Sequence, residues 1–291
     1  MAHLILLSDL HLSPLHGYFW QNWCWARDAA NAIGADYVVV NGDLTINGAD
    51  DDAEIAFVAR ALASLTSPTL VLPGNHDVGD DPPGQDAKQL IEESRLTRWH
   101  GAFGADRFSV KLGGWRLIGI NAQLCGSGLP EEVAQETWLA VELGRDTRPV
   151  VLFLHKPLFL DQADDDAITT DAINPEPRSR LMNLIDAGHV RMVVSGHLHG
   201  HRDREIDGRR YLWLPSTAFL GVGVGSSIPM VAAMSLDLSD QNPIVEFIPL
   251  PGLHPHKLSD IKQNGRYPFL RDTPPCPPPV QWLNAIQQGN S

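Results

Sequence analysis

From the amino terminus to Ser195, short uninterrupted apolar runs bounded by turn residues alternate with stretches whose apolar residues recur at helical spacing. An apolar run with no polar alternation reads as a strand covered on both faces, which is how parallel sheets are built. The pattern predicts such strands over residues 3–8, 37–41, 69–72, 150–154 and 190–195. It predicts helices over 19–33, 51–65, 86–103, 131–143 and 179–187. Two hairpins interrupt the rhythm: 107–111 and 115–120 flank Gly113-Gly114, and 203–206 and 210–214 flank Asp207-Gly208. Alternating runs at 230–238 and 244–249 add strands late in the chain. The class is therefore α/β, with antiparallel strands joining parallel ones in two mixed sheets packed face to face and flanked by helices.

No linker-like shift in composition divides residues 1–250, which read as one domain. After Pro251 the pattern fades into a tail carrying Pro268, Pro274, Pro275, Pro277, Pro278 and Pro279, which cannot supply continuous backbone donors. The tail, 251–291, is expected to wrap the domain surface, with Val280, Trp282, Leu283 and Ile286 docking it.

Composition narrows the field. A 291-residue chain with 43% hydrophobic residues is not generally disordered. With 22 basic against 35 acidic residues the net charge is −13, which argues against a nucleic-acid polymer or an anionic membrane as partner. Cys24, Cys125 and Cys276 lie far apart and form neither a disulfide framework nor a zinc knot. The run Leu4–Leu7 is too short for a signal peptide, and no apolar stretch approaches the roughly 20 residues of a membrane span. A soluble, cytoplasmic protein is expected, with a homo-oligomer left open.

The candidate chemistry sits where the apolar strands stop. The predicted strands run into Ser8-Asp9-Leu10-His11, Gly42-Asp43, Gly74-Asn75-His76-Asp77, His155 and Gly196-His197-Leu198-His199. The carboxyl ends of strands are where open α/β sheets gather their sites. Each segment alone has an ordinary reading, Asp9 as a helix cap and His155 as a core histidine. The ordered set is different. It resembles the calcineurin-like metallophosphoesterases over roughly residues 1–249, a resemblance extended by Trp138-Leu139 and Pro215-Ser216-Thr217.

That resemblance implies an αββα sandwich and hydrolysis of a small phosphoester by a hydroxide bridging two divalent transition ions. It implies that Asp9, His11, Asp43 and His199 hold one ion and Asp43, Asn75, His155 and His197 the other. Asp43 then supplies the shared anion that two neighbouring cations need. Mixed imidazole and carboxylate ligands suit Fe, Mn or Zn over Ca or Mg. The resemblance places His76 on the phosphate and leaving group instead of a metal. Asp77 is read either as fixing the His76 tautomer through a hydrogen bond or as a turn cap. Within the superfamily the bacterial class III cyclic-nucleotide and small-diester phosphodiesterases are most similar. Lys156 departs from them, because many carry a second histidine there. A phosphomonoesterase, or a scaffold on the same fold, are the other readings.

Other features carry less. Tyr18-Phe19-Trp20, Trp23 and Trp25 read as core packing, and the glycines from Gly221 to Gly225 as a mobile loop near the site. Asp50–Asp52 and Asp164–Asp166 read as solvated faces or helix starts. His16 and His201 adjoin ligand turns but stay outside the expected site.

Overall fold

A computed structural model describes residues 2–84, 86–239 and 242–257. In chain order the larger elements of its first half are β1 (His3–Leu7), α1 (Trp20–Ile33), β2 (Tyr37–Asn41), α2 (Asp52–Leu62), β3 (Thr69–Leu72), the one-turn α3 (Asn75–Val78) and α4 (Glu93–Phe103). There follow β4 (Phe108–Leu112), β5 (Trp115–Ile120), α5 (Pro130–Leu143), β6 (Val150–Leu154), α6 (Pro175–Ala187) and β7 (Val190–Ser195). The rest is strand: β8 (Gly200–Ile206), β9 (Arg209–Trp213), β10 (Phe219–Leu220), β11 (Ile228–Pro229), β12 (Ala233–Asp237), β13 (Ile244–Ile248) and β14 (His256–Lys257).

Both main sheets are mixed, as the pattern predicts. One has the order β13-β12-β1-β2-β3 and the other β11-β8-β9-β7-β6-β5-β4. In each, parallel strands form the centre (β1 with β2 and β3; β5 with β6, β7 and β9) and antiparallel strands are added outside. The sheets face each other through one core that includes Leu4, Leu6 and Val39 from the first and Leu117, Val151 and Phe153 from the second. The first sheet's other face packs Ile5, Val38 and Val40 against α1, α2 and α4. The second packs Ile118, Leu152 and Leu154 against α5 and α6. Four layers result, which is why β1, β2, β5 and β6 are apolar without alternation.

Element boundaries move where local chemistry overrides the pattern. The helix expected from residue 86 starts only at Glu93, because the chain at Leu90 bridges back to Asp80 after a single 3₁₀ turn. Asn174 and Pro175 start α6 four residues early, since proline is at home in a helix's first turn. Asp51 caps α2 by accepting from Ala53 N at 2.8 Å. The Asp207-Gly208 turn has positive φ at both residues, 50° and 73°, the geometry a two-residue hairpin favours. Among the described residues no helix is long and apolar enough to cross a membrane. Cys24 and Cys125 are unpaired thiols. Cys276 and the proline cluster lie outside the described residues, as does the expected docking group at Val280, Trp282, Leu283 and Ile286.

Candidate metal centre

Strands β1, β2, β3, β6 and β7 end at one locus, and each delivers a polar side chain within a few residues of its last ladder bond. The turns are sharp. Asp9 (φ 55°), His11 (46°), Asp43 (51°), His197 (71°) and His199 (51°) all occupy the left-handed region, which Asp and His tolerate better than most residues. Two glycines make room for these side chains. A Cβ at Gly42, itself at φ 88°, would overlap the His155 ring, and one at Gly196 would overlap Ser8 and Asp9.

The side chains gather in two clusters sharing one carboxylate: Asp9, His11, Asp43 and His199 form the first, and Asp43, His155 and His197 the second. In the first, His199 Nε2 lies 3.2 Å from Asp9 Oδ1 and 3.1 Å from His11 Nε2. His199 Nδ1 is 3.0 Å from the Phe219 carbonyl, so that nitrogen carries the proton and Nε2 presents a lone pair inward. In the second, His155 Nδ1 donates to the Asn41 carbonyl at 2.8 Å, and Nε2, buried with no hydrogen-bond partner, faces Asp43 Oδ2 at 3.3 Å. His197 uses the opposite nitrogen. Its Nε2 donates to Thr170 O at 2.9 Å, and its Nδ1 faces Asn75 Oδ1 at 3.1 Å, which brings Asn75 to this cluster.

Lone pairs therefore confront lone pairs inside the pocket, His199 against Asp9 and His197 against Asn75, while His155 turns a protonated Nε2 to the Asp43 carboxylate. That is costly for a pocket without cations and is the donor set a transition metal takes. The residues present fit such ions. Outer carbonyls hold His155, His197 and His199 so that the opposite ring nitrogen points inward, where a cation would displace any proton it carries.

Electrostatics follow the same geometry. Burial opposes ionisation of Asp43, but the imidazoles of His155 and His76 outweigh it and hold its carboxyl well below the usual range. Burial also opposes charge on His155, yet Asp43 pulls it up to about 9. Burial, followed by the neighbouring His76, holds His11 well below the imidazole range. Burial and then the charge of Lys156 do the same for His197.

His76 sits on the one-turn α3 beside these clusters, its Nε2 3.9 Å from Asp43 Oδ2 and its backbone N–H donating to Asp43 Oδ1 at 2.9 Å. The hydrogen bond expected between Asp77 and the His76 ring is not made. Ring nitrogen Nδ1 lies 2.7 Å from the Ile46 carbonyl. The Asp77 carboxylate instead accepts from the backbone of Leu44 (3.1 Å), Thr45 (3.0 Å) and Gly74 (2.9 Å) and from the Thr45 hydroxyl (2.7 Å). Its side chain turns away from the ring to tie the Asp43 turn to the Asn75 turn. Burial and the charge of Asp43 push the Asp77 carboxyl up to about 6.

Trp20 and Trp23 are core, whereas Trp25 is 39% exposed and packs on Gly252. Phe19 and Phe219 lie against the His11 ring. Gly221 N–H donates to the His199 carbonyl, so the glycine loop adjoins the site. His16 stacks on Tyr18, and His201 bonds Trp213 O beside Phe247; neither joins the clusters. Sequence reasoning missed the carbonyls of Asn41, Ile46, Thr170 and Phe219, which no residue type announces. It also missed the partner of Lys156, which is Asp81. A separate cleft lined by Trp115, Pro149, His189, Arg191 and Arg210 opens at the opposite, amino-terminal ends of the second sheet's parallel strands and includes none of the cluster residues.

Comparison with known proteins agrees with this geometry. A calcineurin-like phosphoesterase family model matches residues 2–201. The human serine/threonine-protein phosphatase CPPED1 is 30% identical over 45% of this chain and 41% of its own length. A probable cyclic nucleotide phosphodiesterase of Psychrobacter sp. is 27% identical over 70% of this chain and 58% of its own. The chain thus spans about half the length of these relatives. The structure of a dimetal phosphatase from Danio rerio superposes with a TM-score of 0.59, covering 84% of this chain and 95% of that one at 13% identity, a likeness of fold alone.

Proposed function

The chain belongs to the calcineurin-like phosphoesterase family, and from that premise we propose that it hydrolyses small phosphodiesters, such as cyclic nucleotides, at a pair of divalent transition ions. Asp9, His11, Asp43 and His199 hold one ion; Asp43, Asn75, His155 and His197 hold the other. The observation that carries this reading is the single carboxylate of Asp43 common to two clusters of inward-facing imidazoles. Such ions, when bound, clamp the phosphate and lower the pKa of water for in-line attack. Nitrogen and oxygen ligands without thiolate favour Fe, Mn or Zn.

The chain's own residues do the rest. Asp43, with Oδ2 turned to both sides, keeps the two cations from repelling each other apart. His76, with Nδ1 held by the Ile46 carbonyl, gives a proton from Nε2 to the departing oxygen. Asp77 positions both turns. Residues 1–250 form the catalytic domain, and the described start of the tail, residues 251–257, packs on it. The reading of the tail is supported by His254, whose backbone exchanges hydrogen bonds with the buried Asn22 side chain.

A rate panel tests the reading. Under matched metal loading, bis-aryl phosphate and cyclic nucleotides should show higher kcat/KM than aryl phosphate. The likeness to a protein phosphatase favours a second reading, monoester hydrolysis. A clear preference for aryl phosphate would select it.

A further inference from the structure

Asn22 is an amide in an apolar setting. It lies on the inward face of α1 with Trp20, Trp23 and Ala26, and it is fully buried. An amide there is costly unless it is bonded, and an aliphatic side chain would fill the same space without that demand. Backbone groups alone satisfy it. Its Nδ2 donates to the carbonyls of Thr217 (3.1 Å), Ala218 (3.2 Å) and His254 (2.8 Å), and its Oδ1 accepts from His254 N–H at 2.9 Å. The side chain thus joins two backbone segments that are remote from it, and from each other, along the chain.

The first of these segments, residues 216–219, is a belt beside the first cluster. Thr217 N–H donates to Ser8 O at 2.8 Å, Ala218 N–H to Asp9 O at 3.2 Å, and the Ser216 hydroxyl to Asp9 O at 3.0 Å. The Phe219 carbonyl accepts from His199 Nδ1, and the Phe219 ring lies 4.9 Å from the His11 ring and 4.1 Å from that of His199. This one stretch therefore meets Asp9, His11 and His199. The imidazoles peculiar to the second cluster are held elsewhere, His155 by Asn41 O and His197 by Thr170 O. The belt runs on into β10, which pairs with β14 through Phe219 and His256, and the His256 ring meets Phe19 edge-on at 5.3 Å. Asn22 sits where the belt and the start of the tail come together.

We propose that Asn22 is a positioning residue for the ion of the Asp9–His199 cluster. By fixing the Thr217 and Ala218 carbonyls against the start of the tail, it holds the next carbonyl, that of Phe219, where it orients the His199 ring. The second cluster, anchored on other carbonyls, does not depend on it. This rests on the two-ion reading above, and the experiment separates the two.

The full-length protein, stripped with chelator, is titrated with Mn(II) alone, with heat and the Mn(II) spin signal reporting occupancy. The parent should take up two ions, and His199→Ala and His197→Ala identify which binding step belongs to which cluster. Asn22→Ala removes the amide's bonds and should loosen the His199 step by roughly tenfold, the scale typical of groups just outside a metal's ligands, leaving the His197 step unchanged. Asn22→Asp keeps the shape and the bond from His254 N–H, loses the donors, and should loosen the same step. A merely structural amide would lower the urea midpoint with both steps unmoved or loosened alike, and that result would overturn the role of Asn22. If neither variant folds, exchange in the parent sequence decides, because coupling between two sites is reciprocal. Mn(II) added to His197→Ala, which keeps the first cluster, should slow amide hydrogen exchange at His254, and Mn(II) added to His199→Ala should not. Exchange at His254 that ignores metal in both would overturn the role of Asn22 alone. A parent that takes up one ion only would overturn the two-ion reading instead.

Discussion

His76 and Asp77 are neighbours on one helical turn and do different work. His76 presents Nε2 near Asp43, whereas Asp77 spends its carboxylate on the backbone of Leu44, Thr45 and Gly74. Departure of a poor alkoxide needs a proton, and departure of nitrophenolate does not. His76→Ala should therefore slow an alkyl or ribose ester by about 10²- to 10⁴-fold and a nitrophenyl ester far less, with metal content by elemental analysis unchanged. Equal losses across a leaving-group series would assign His76 to binding instead. Asp77→Ala should do the reverse. It strands buried amides at a cost of about 1–3 kcal/mol each, so denaturant midpoints and metal affinity should fall while the leaving-group dependence stays that of the parent. For Asp43→Asn, loss of the shared anion should abolish most turnover in a protein that keeps its circular dichroism. Normal kcat with both ions retained would remove Asp43 from the centre of the scheme.

The elements that hold these residues were legible to the degree that side chains alone define them. Five apolar runs ending in Asp, Asn or His mark β1, β2, β3, β6 and β7 and nearly every clustered side chain, because a polar residue directly after a doubly covered strand has few other reasons to be there. The two-residue strands β10, β11 and β14 have no period to detect. The break before α4 depends on a long-range bridge between Asp80 and Leu90, and the carbonyls that orient the imidazoles are backbone groups every residue possesses. Packing between the sheets is where an element can be tested. Phe153 on β6 is fully buried between the sheets and meets Phe108 of β4, two strands away in its own sheet, over Gly119 at 6.1 Å between ring centres. Phe153→Ala should cost about 3–5 kcal/mol in a urea melt. Because β6 also ends in His155, the same change should weaken the second ion before the first.

At the scale of the whole molecule, a buried acid under α2 couples stability to pH. Glu54 accepts from the Asn47 backbone N–H, and burial pushes its carboxyl up to about 7 against an ordinary 4.5. A carboxyl raised on folding binds its proton more tightly in the native state, so its contribution is fully present near pH 4.5 and lost as pH rises toward 7. Glu54→Gln keeps an acceptor for Asn47 and removes the titration. The variant should match the parent at the acid end of that window and exceed it by about 3 kcal/mol at pH 8, measured as the difference between paired urea melts. A difference independent of pH would mean that Glu54 is ionised throughout. The left-handed turns at Asp9, His11, Asp43, His197 and His199 have a longer reach. Each asks a residue with a Cβ to hold a conformation that glycine adopts freely, at about 1 kcal/mol or more. On the two-ion reading those residues serve the chemistry, and the fold would stand more firmly without them. A descendant of this chain released from catalysis should drift accordingly, with glycine accumulating at these five positions before the surrounding core changes, so that loss of the reaction is written first in the turns and leaves a sturdier protein behind.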